Sequence, residues 1–153
     1  MLRRTALTVS LPVVWLSLLP AGLIAAPAEP EGGIGRKIDE FTLQDAQSKQ
    51  WTLAQLSGKK GTVVAFLGTE CPLVKLYAGR LNELAAAYKG KGVHFVGVFS
   101  NSQDTKGDVA AFLKSSKISF PAVLDKGAAV ADRFSALRTP EVFLLDEIGR
   151  AHV

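Results

Sequence analysis

The sequence contains one cysteine, Cys71, at a position where its thiol could be reactive. It follows an uncharged apolar run at residues 62–67, which predicts a strand buried on both faces. After Gly68 the apolar residues recur at steps of three and four, which predicts an amphipathic helix. They are Leu73, Leu76, Tyr77, Leu81, Leu84 and Tyr88. Cys71 is therefore expected at a strand-to-helix junction, close to the free N–H groups and positive dipole end that favour a thiolate.

Two neighbours of Cys71 fit this interpretation. Pro72 suits the first helical turn, where a missing N–H costs nothing. Lys75, one turn further on, would lie on the same helix face as Cys71 and favour the thiolate, although a solvated charge is the alternative for this lysine. A lower pKa alone gains little in rate, because the larger thiolate fraction is offset by lower nucleophilicity. We therefore expect oriented donors near the sulfur, from the first helical turn, Thr69 and Arg138.

The N-terminus has the pattern of a secretory signal peptide. Two arginines precede an apolar run at residues 11–24 and the small-residue segment 25–28, so cleavage is expected after Ala28. An uncleaved membrane anchor is the alternative, but two prolines and a serine interrupt the run and leave it short for a stable span. The sequence thus predicts an exported protein, periplasmic or extracellular, with a signal peptide at residues 1–28 and a flexible lead-in at residues 29–37.

Composition excludes several classes of function. The 153 residues are 48% hydrophobic, enough for one compact domain. Removal of residues 1–28 takes away two arginines and no acid, which lowers the net charge from +4 to +2, and no basic cluster is interleaved with aromatics, so we expect no nucleic acid partner. A single cysteine cannot form an internal disulfide. The two histidines, His94 and His152, are both far from Cys71 in sequence, so neither a metal nor a cofactor is expected.

The remaining pattern predicts an α/β domain. Residues 41–43 and 51–53 read as a hairpin, followed by a helical turn at 54–58. A second buried strand at residues 93–100 follows the cysteine helix, so strand, helix and strand form a βαβ unit. The polar loop at residues 101–106 then lies at the same sheet edge as Cys71, the edge where open α/β sheets bind ligands.

The last third of the chain continues the alternation of helices and strands. Its predicted elements are a helix at 108–117, a strand at 120–124, a helix at 128–134, a strand at 142–145 and the start of a hairpin strand at 151–153. Pro140 directly precedes a predicted strand and is a candidate for a cis peptide bond.

Three motifs carry a family resemblance: Gly-Thr-Glu-Cys-Pro-Leu at residues 68–73, Ser-Asn-x-Gln-Asp at residues 100–104 and Arg-Thr-Pro-Glu-Val-Phe-Leu-Leu-Asp at residues 138–146. Together they resemble the thioredoxin-fold redoxins, namely the alkyl hydroperoxide reductase and thiol-specific antioxidant group and the exported thiol-disulfide oxidoreductases of that fold. The resemblance covers residues 38–153 and implies a central mixed β-sheet flanked by helices. It further implies that Cys71 is the nucleophile and that Thr139 and Pro140 form the loop that faces it.

The sequence departs from the family in its second thiol and in its peroxidase motif. Val74 occupies the second position of C-x-x-C, so the self-contained dithiol cycle is lost. Peroxiredoxins carry the motif P-x-x-x-T-x-x-C, but Val64 and Gly68 occupy its proline and threonine positions here, and Thr69 lies one place from the threonine position. Arg138 is a near match to the arginine that peroxiredoxins place by the cysteine. The family's last strand and C-terminal helix would fall after residue 153. The resemblance therefore implies that residues 38–153 are a C-terminally incomplete redoxin domain, with further domains of a longer exported chain as possible partners.

These observations favour an exported antioxidant or thiol oxidoreductase of the single-cysteine type. In this hypothesis the Cys71 thiolate attacks a peroxide or a disulfide and is reset by an external thiol reductant. The alternative is a redox-inactive interaction module that binds partners through the face of Thr139 and Pro140. Copper delivery would need a second cysteine, and Lys75 occupies its place in C-x-x-x-C.

Overall fold

The computed structural model describes residues 33–152, so the predicted signal peptide lies outside the described residues. The strands are β1 (Thr42–Gln44), β2 (Gln50–Thr52), β3 (Gly61–Leu67), β4 (Val93–Phe99), β5 (Ala122–Leu124), β6 (Glu141–Leu145) and β7 (Ala151–His152). The helices are α1 (Leu53–Leu56), α2 (Pro72–Lys89), α3 (Lys106–Ser115) and α4 (Ala129–Phe134). None of the helices found between residues 33 and 152 has the length and apolar character that crossing a membrane requires.

The strands form one seven-stranded mixed sheet in the order β2-β1-β5-β4-β3-β6-β7. The uncharged strand β3 lies near its centre, parallel to β4 and antiparallel to β6. β4 also pairs with β5 in parallel, and β1 pairs with β2 as the predicted hairpin. The βαβ unit and the mixed α/β class predicted from the sequence are therefore confirmed. The short strand β7 pairs with β6 and is the hairpin strand predicted at the end of the chain.

Hydrophobic cores lie on both faces of the sheet, because the side chains of β3 alternate between them. On one face Phe66 contacts Phe134 of α4 and Phe143 of β6, with ring centroids 5.4 and 5.8 Å apart. On the other face Leu67 packs with residues of α2 and α3. The sheet thus carries α1 and α4 on one side and α2 and α3 on the other, and β3 is held rigidly between them.

The buried face of α2 differs from the one that the sequence pattern predicts. The side chains facing the sheet are Val74, Ala78, Leu81 and Ala85. Of the predicted face only Leu81 is buried; Leu84 is half-buried, and Leu73, Leu76, Tyr77 and Tyr88 are exposed. The prediction of a six-residue apolar face was therefore wrong. Small side chains let the helix lie close to the sheet, and a pattern that counts only large apolar residues does not detect them.

Candidate active site

Cys71 caps the N-terminus of α2 directly after the loop that leaves β3. Its backbone is extended, with φ of −73° and ψ of 117°, and Pro72 begins the helix. The backbone N–H of Cys71 donates to the carbonyl of Gly68 at 3.3 Å, which closes a tight turn between strand and helix. The thiol is half-buried. The geometry therefore gives the sulfur both contact with protein donors and access from solvent.

The surroundings of Cys71 lower the pKa of its thiol. The largest cause is the backbone N–H of Val74, which hydrogen-bonds to the sulfur, and partial burial opposes it. The Thr139 side chain, the backbone N–H of Leu73 and the charge of Lys75 lower the pKa further, in that order. Hydrogen bonds to an anion stabilise it relative to its protonated form. The sulfur is therefore held in an environment that favours the thiolate.

The loop before β6 lies against Cys71. The peptide bond between Thr139 and Pro140 is cis, as the sequence suggests. The Cys71 thiol donates to the backbone carbonyl of Thr139, with Sγ and O 3.1 Å apart. Only the protonated thiol can make this bond, so it opposes the donors that lower the pKa of Cys71, and the net effect of the surroundings is still a lowered pKa. The antiparallel pairing of β3 and β6 brings this loop to the edge of the sheet where α2 begins, although 68 residues separate Cys71 from Thr139.

The other two residues that the sequence singles out, Thr69 and Arg138, form their hydrogen bonds with groups other than the Cys71 sulfur. Thr69 is buried, and its hydroxyl donates to the Asp104 carboxylate at 2.5 Å. Arg138 is exposed; its backbone N–H donates to the Glu141 carboxylate at 3.2 Å, and the residue lines a cleft of about 300 Å³ that Thr139 also lines. Roles for Thr69 and Arg138 in catalysis remain predictions.

Asp104 and Asn101 belong to the motif Ser-Asn-x-Gln-Asp at residues 100–104, to which the sequence reasoning assigned no role. Both belong to the loop after β4, and Asn101 donates its side-chain N–H to Asp104 at 3.1 Å. The signal available in the sequence was the position of this polar loop at the carboxyl end of a strand parallel to β3. That position predicts proximity to Cys71 but does not say which side chain contacts which. Within residues 33–152 no group of three or more ligating side chains could hold a metal ion.

A mixed sheet covered on both faces, with the cysteine at a helix start opposite a cis-proline loop, is the architecture of thioredoxin-fold proteins. The model of the AhpC/TSA family matches residues 34–151, and the chain belongs to that family.

Proteins similar in sequence to this chain are named thiol-disulfide oxidoreductases. The chain is 32% identical over 117 residues to the thiol-disulfide oxidoreductase ResA of a Bacillus cereus strain, covering 76% of this chain and 66% of that protein. It is 33% identical over 117 residues to the ResA of Bacillus subtilis (strain 168), covering 76% of this chain and 63% of that protein. The chain thus spans just under two thirds of the length of these curated relatives.

Solved structures show the same fold. A crystal structure of a hypothetical protein from Sinorhizobium meliloti 1021 matches with a TM-score of 0.72 and 32% identity, over 77% of this chain and 67% of that one. A secreted Mycobacterium tuberculosis disulfide oxidoreductase matches with a TM-score of 0.64 and 22% identity, over 73% of this chain and 80% of that one. The thioredoxin-like fold predicted from the sequence is therefore confirmed.

Proposed function

We propose that this protein is an exported thiol oxidoreductase in which the Cys71 thiolate attacks a disulfide. The observation that carries the proposal is the position of Cys71 at the N-terminus of α2, with its sulfur 3.1 Å from the backbone carbonyl oxygen of Thr139 beside the cis-proline. The lowered pKa of the thiol, caused chiefly by the Val74 amide, supports it. The names of the relatives support thiol-disulfide chemistry and favour a disulfide over a peroxide as the electrophile. Export rests on the signal-peptide pattern at residues 1–28.

The reaction proceeds by two kinds of sulfur displacement. The Cys71 thiolate attacks one sulfur of the substrate disulfide, whose S–S bond breaks; a mixed disulfide forms on Cys71 and the other substrate sulfur leaves as a thiolate. An external thiolate then displaces the bound substrate sulfur from Cys71, and a second external thiolate displaces Cys71 itself. The substrate disulfide is thereby reduced to two thiols, while two external thiols are oxidised to one disulfide.

The need for an external thiol follows from Val74. This residue stands where C-x-x-C proteins carry their second cysteine, and its side chain is fully buried in the core beneath α2. The mixed disulfide on Cys71 therefore has no thiol one helical turn away that could release it. Its lifetime depends on the concentration of the external reductant.

Intact mass of the purified protein mixed with oxidised glutathione tests the proposal. Because the sequence has one cysteine, any gain of one glutathionyl group reports on that position, and Cys71→Ser supplies the blank. We expect native protein to react faster than the same protein unfolded in concentrated urea, since only the fold assembles the donors. Equal rates would contradict the proposal and favour the redox-inactive interaction module. A parallel reaction with hydrogen peroxide, followed by the gain of one oxygen, measures the peroxide alternative.

Restoring the second cysteine tests the need for an external thiol. Val74 stands at the second position of C-x-x-C, the spacing of the redox-active dithiols of thioredoxin-like proteins. In Val74→Cys we expect the glutathionyl adduct to be short-lived and to give way to an internal disulfide, with a loss of two hydrogens. Val74→Ala, which removes similar bulk without adding a thiol, should keep a long-lived adduct. A stable adduct in Val74→Cys would contradict the mechanism.

A further inference from the structure

A buried carboxylate lies beside the candidate active site and takes no part in the reaction described above. Asp104, in the loop after β4, is 7% exposed. It accepts hydrogen bonds from the backbone N–H of Thr69 at 3.3 Å and from the Thr69 hydroxyl at 2.5 Å. Its second oxygen accepts from the Asn101 side chain at 3.1 Å. One carboxylate thus connects the loop after β4 with the loop that leads into Cys71.

Such a contact holds its partners firmly. A carboxylate removed from water must be compensated by hydrogen bonds, and bonds to a charged acceptor are shorter and stronger than those between neutral groups. Both the backbone and the side chain of Thr69 bind the same carboxylate oxygen, so this residue is held at two points. Thr69 is two residues before Cys71. A displacement of Thr69 would therefore move the sulfur relative to α2.

The close packing at Gly68 shows that three loops meet here. A Cβ atom at Gly68 would lie 2.4 Å from the Asn101 side-chain nitrogen and 3.3 Å from Thr139 Oγ1. The absence of a side chain lets the loop after β4 and the cis-proline loop both pack against the turn before α2. The buried carboxylate of Asp104 binds Asn101 and Thr69, and so connects one of these loops to the residue that follows Gly68.

We propose that Asp104 is a positioning residue for Cys71: by binding Thr69 it fixes the turn between β3 and α2, so that the sulfur stays aligned with the Val74 and Leu73 amides and with Thr139. A role of Asp104 in catalysis rests on the proposed function, because it requires that Cys71 is the nucleophile. Asp104 acts through Thr69 and does not contact the substrate.

The charge of Asp104 by itself would have the opposite effect. A carboxylate near a thiol disfavours the thiolate, so a role through charge alone would raise the pKa of Cys71. A role through positioning lowers that pKa, because alignment with the amides stabilises the thiolate. The two roles can be separated by a variant that keeps the charge of Asp104 and weakens its hold on residue 69. Thr69→Val does so with little change in shape, because it removes the hydroxyl bond and leaves only the backbone bond to the carboxylate.

The experiment compares Thr69→Val with Thr69→Ser and with the matched control Thr62→Val. Thr62 is also buried, at the opposite end of β3, where its hydroxyl accepts from the N–H of Gly58 at 3.1 Å. The pH dependence of iodoacetamide alkylation measures the pKa of Cys71 in each folded protein. We expect Thr69→Val to raise that pKa and to slow alkylation at neutral pH by only about two- to threefold, because the smaller thiolate fraction is partly offset by higher nucleophilicity. Thr69→Ser should restore most of the rate, and Thr62→Val should match the wild type.

The outcomes decide the inference separately from the proposed function. A wild-type pKa in Thr69→Val, or a loss in Thr62→Val as large as in Thr69→Val, would overturn the positioning role. If Thr69→Val no longer unfolds cooperatively, Asn101→Ala replaces it in the experiment, because this variant removes one bond to Asp104 and leaves Thr69 bonded. Asn101→Ala should raise the pKa of Cys71. An unchanged pKa in that variant would overturn the inference. A failure of wild-type protein to react with oxidised glutathione would refute the proposed function, while the comparison of pKa values would still test Asp104.

Discussion

At the scale of single residues, the pKa of the Cys71 thiol depends on hydrogen-bond donors more than on charge. The Val74 amide has the largest effect in lowering the pKa of the thiol, and the charge of Lys75 has the smallest of the four favourable effects. Lys75 is exposed, and water and salt screen an exposed charge strongly. The charge of Lys75, which the sequence places on the face of Cys71, therefore lowers the pKa of the thiol less than Thr139 does, a residue 68 positions further along the chain.

The order of these causes predicts the effects of two substitutions. Because the pKa of Cys71 is lowered in the folded protein, alkylation should rise with pH at lower pH than for an unfolded thiol. Thr139→Val removes a donor and should shift the profile to higher pH, slowing alkylation at neutral pH by about two- to threefold. Lys75→Met should slow it by less than about twofold. Iodoacetamide kinetics across the pH range measure both.

Salt supplies the control for this prediction. Added salt should reduce the difference between Lys75→Met and wild type, and should leave the difference caused by Thr139→Val unchanged. A larger effect from Lys75→Met than from Thr139→Val would reverse the assignment and make the charge the main influence on the thiol.

At the scale of elements, α2 shows how a helix can be buried by small residues. Ala78 and Ala85 face the sheet together with Val74 and Leu81, so the helix axis comes close to the strands. Leu76, in contrast, is 73% exposed. The first turn of α2 can hold Cys71 over the sheet edge because this close packing fixes the rest of the helix.

A matched pair of substitutions distinguishes the two faces of α2. Leu81→Ala removes a buried side chain and should lower the free energy of unfolding by about 2 to 4 kcal/mol. Leu76→Ala makes the same chemical change on the exposed face and should alter it by no more than about 0.5 kcal/mol. Urea unfolding of both variants measures the difference. Similar losses in the free energy of unfolding for the two variants would indicate that Leu76 is buried, as the sequence pattern predicts.

At the scale of the whole molecule, a glycine allows close packing at each end of β3, against side chains at Gly68 and against backbone at Gly58. At the end opposite Cys71, a Cβ atom on Gly58 would lie 2.4 Å from the carbonyl oxygen of Gly61 and 2.6 Å from that of Gly92. The loop before β3 and the loop before β4 therefore meet at Gly58, much as the loops around Cys71 meet at Gly68. Glycine is required where backbone approaches backbone this closely.

Substitution of Gly58 should therefore destabilise the entire sheet. Gly58→Ala is expected to lower the free energy of unfolding by about 2 kcal/mol or more, because backbone atoms cannot move aside as a side chain can. A Cβ atom added at Gly79, in α2, would have no atom within 4 Å other than those of its own helix and neighbours, and Gly79→Ala should stabilise the protein by about 0.5 to 1 kcal/mol. Thermal or urea unfolding gives both values. A tolerated Gly58→Ala would show that the two loops can separate without loss of the fold.

The sequence by itself determined the elements and the place of the thiol. The uncharged run before Gly68 marked β3, and Pro72 marked the start of α2, so Cys71 could be placed at the junction. These features are local: periodicity, turn residues and the missing N–H of proline act over a few residues. The facing of Thr139 and Cys71 came from the family resemblance, since nothing local connects residues so far apart.

Only the tertiary structure decided which side chains meet. Asp104 binds Thr69 across 35 residues, and the partner of each polar group in these loops depends on how the ends of β3, β4 and β6 are staggered in the sheet. The buried face of α2 was likewise set by the fit of Ala78 and Ala85 against the strands, which hydrophobicity alone does not reveal. Contacts of this kind depend on the packing of distant segments, and a pattern along the chain holds no information on that packing.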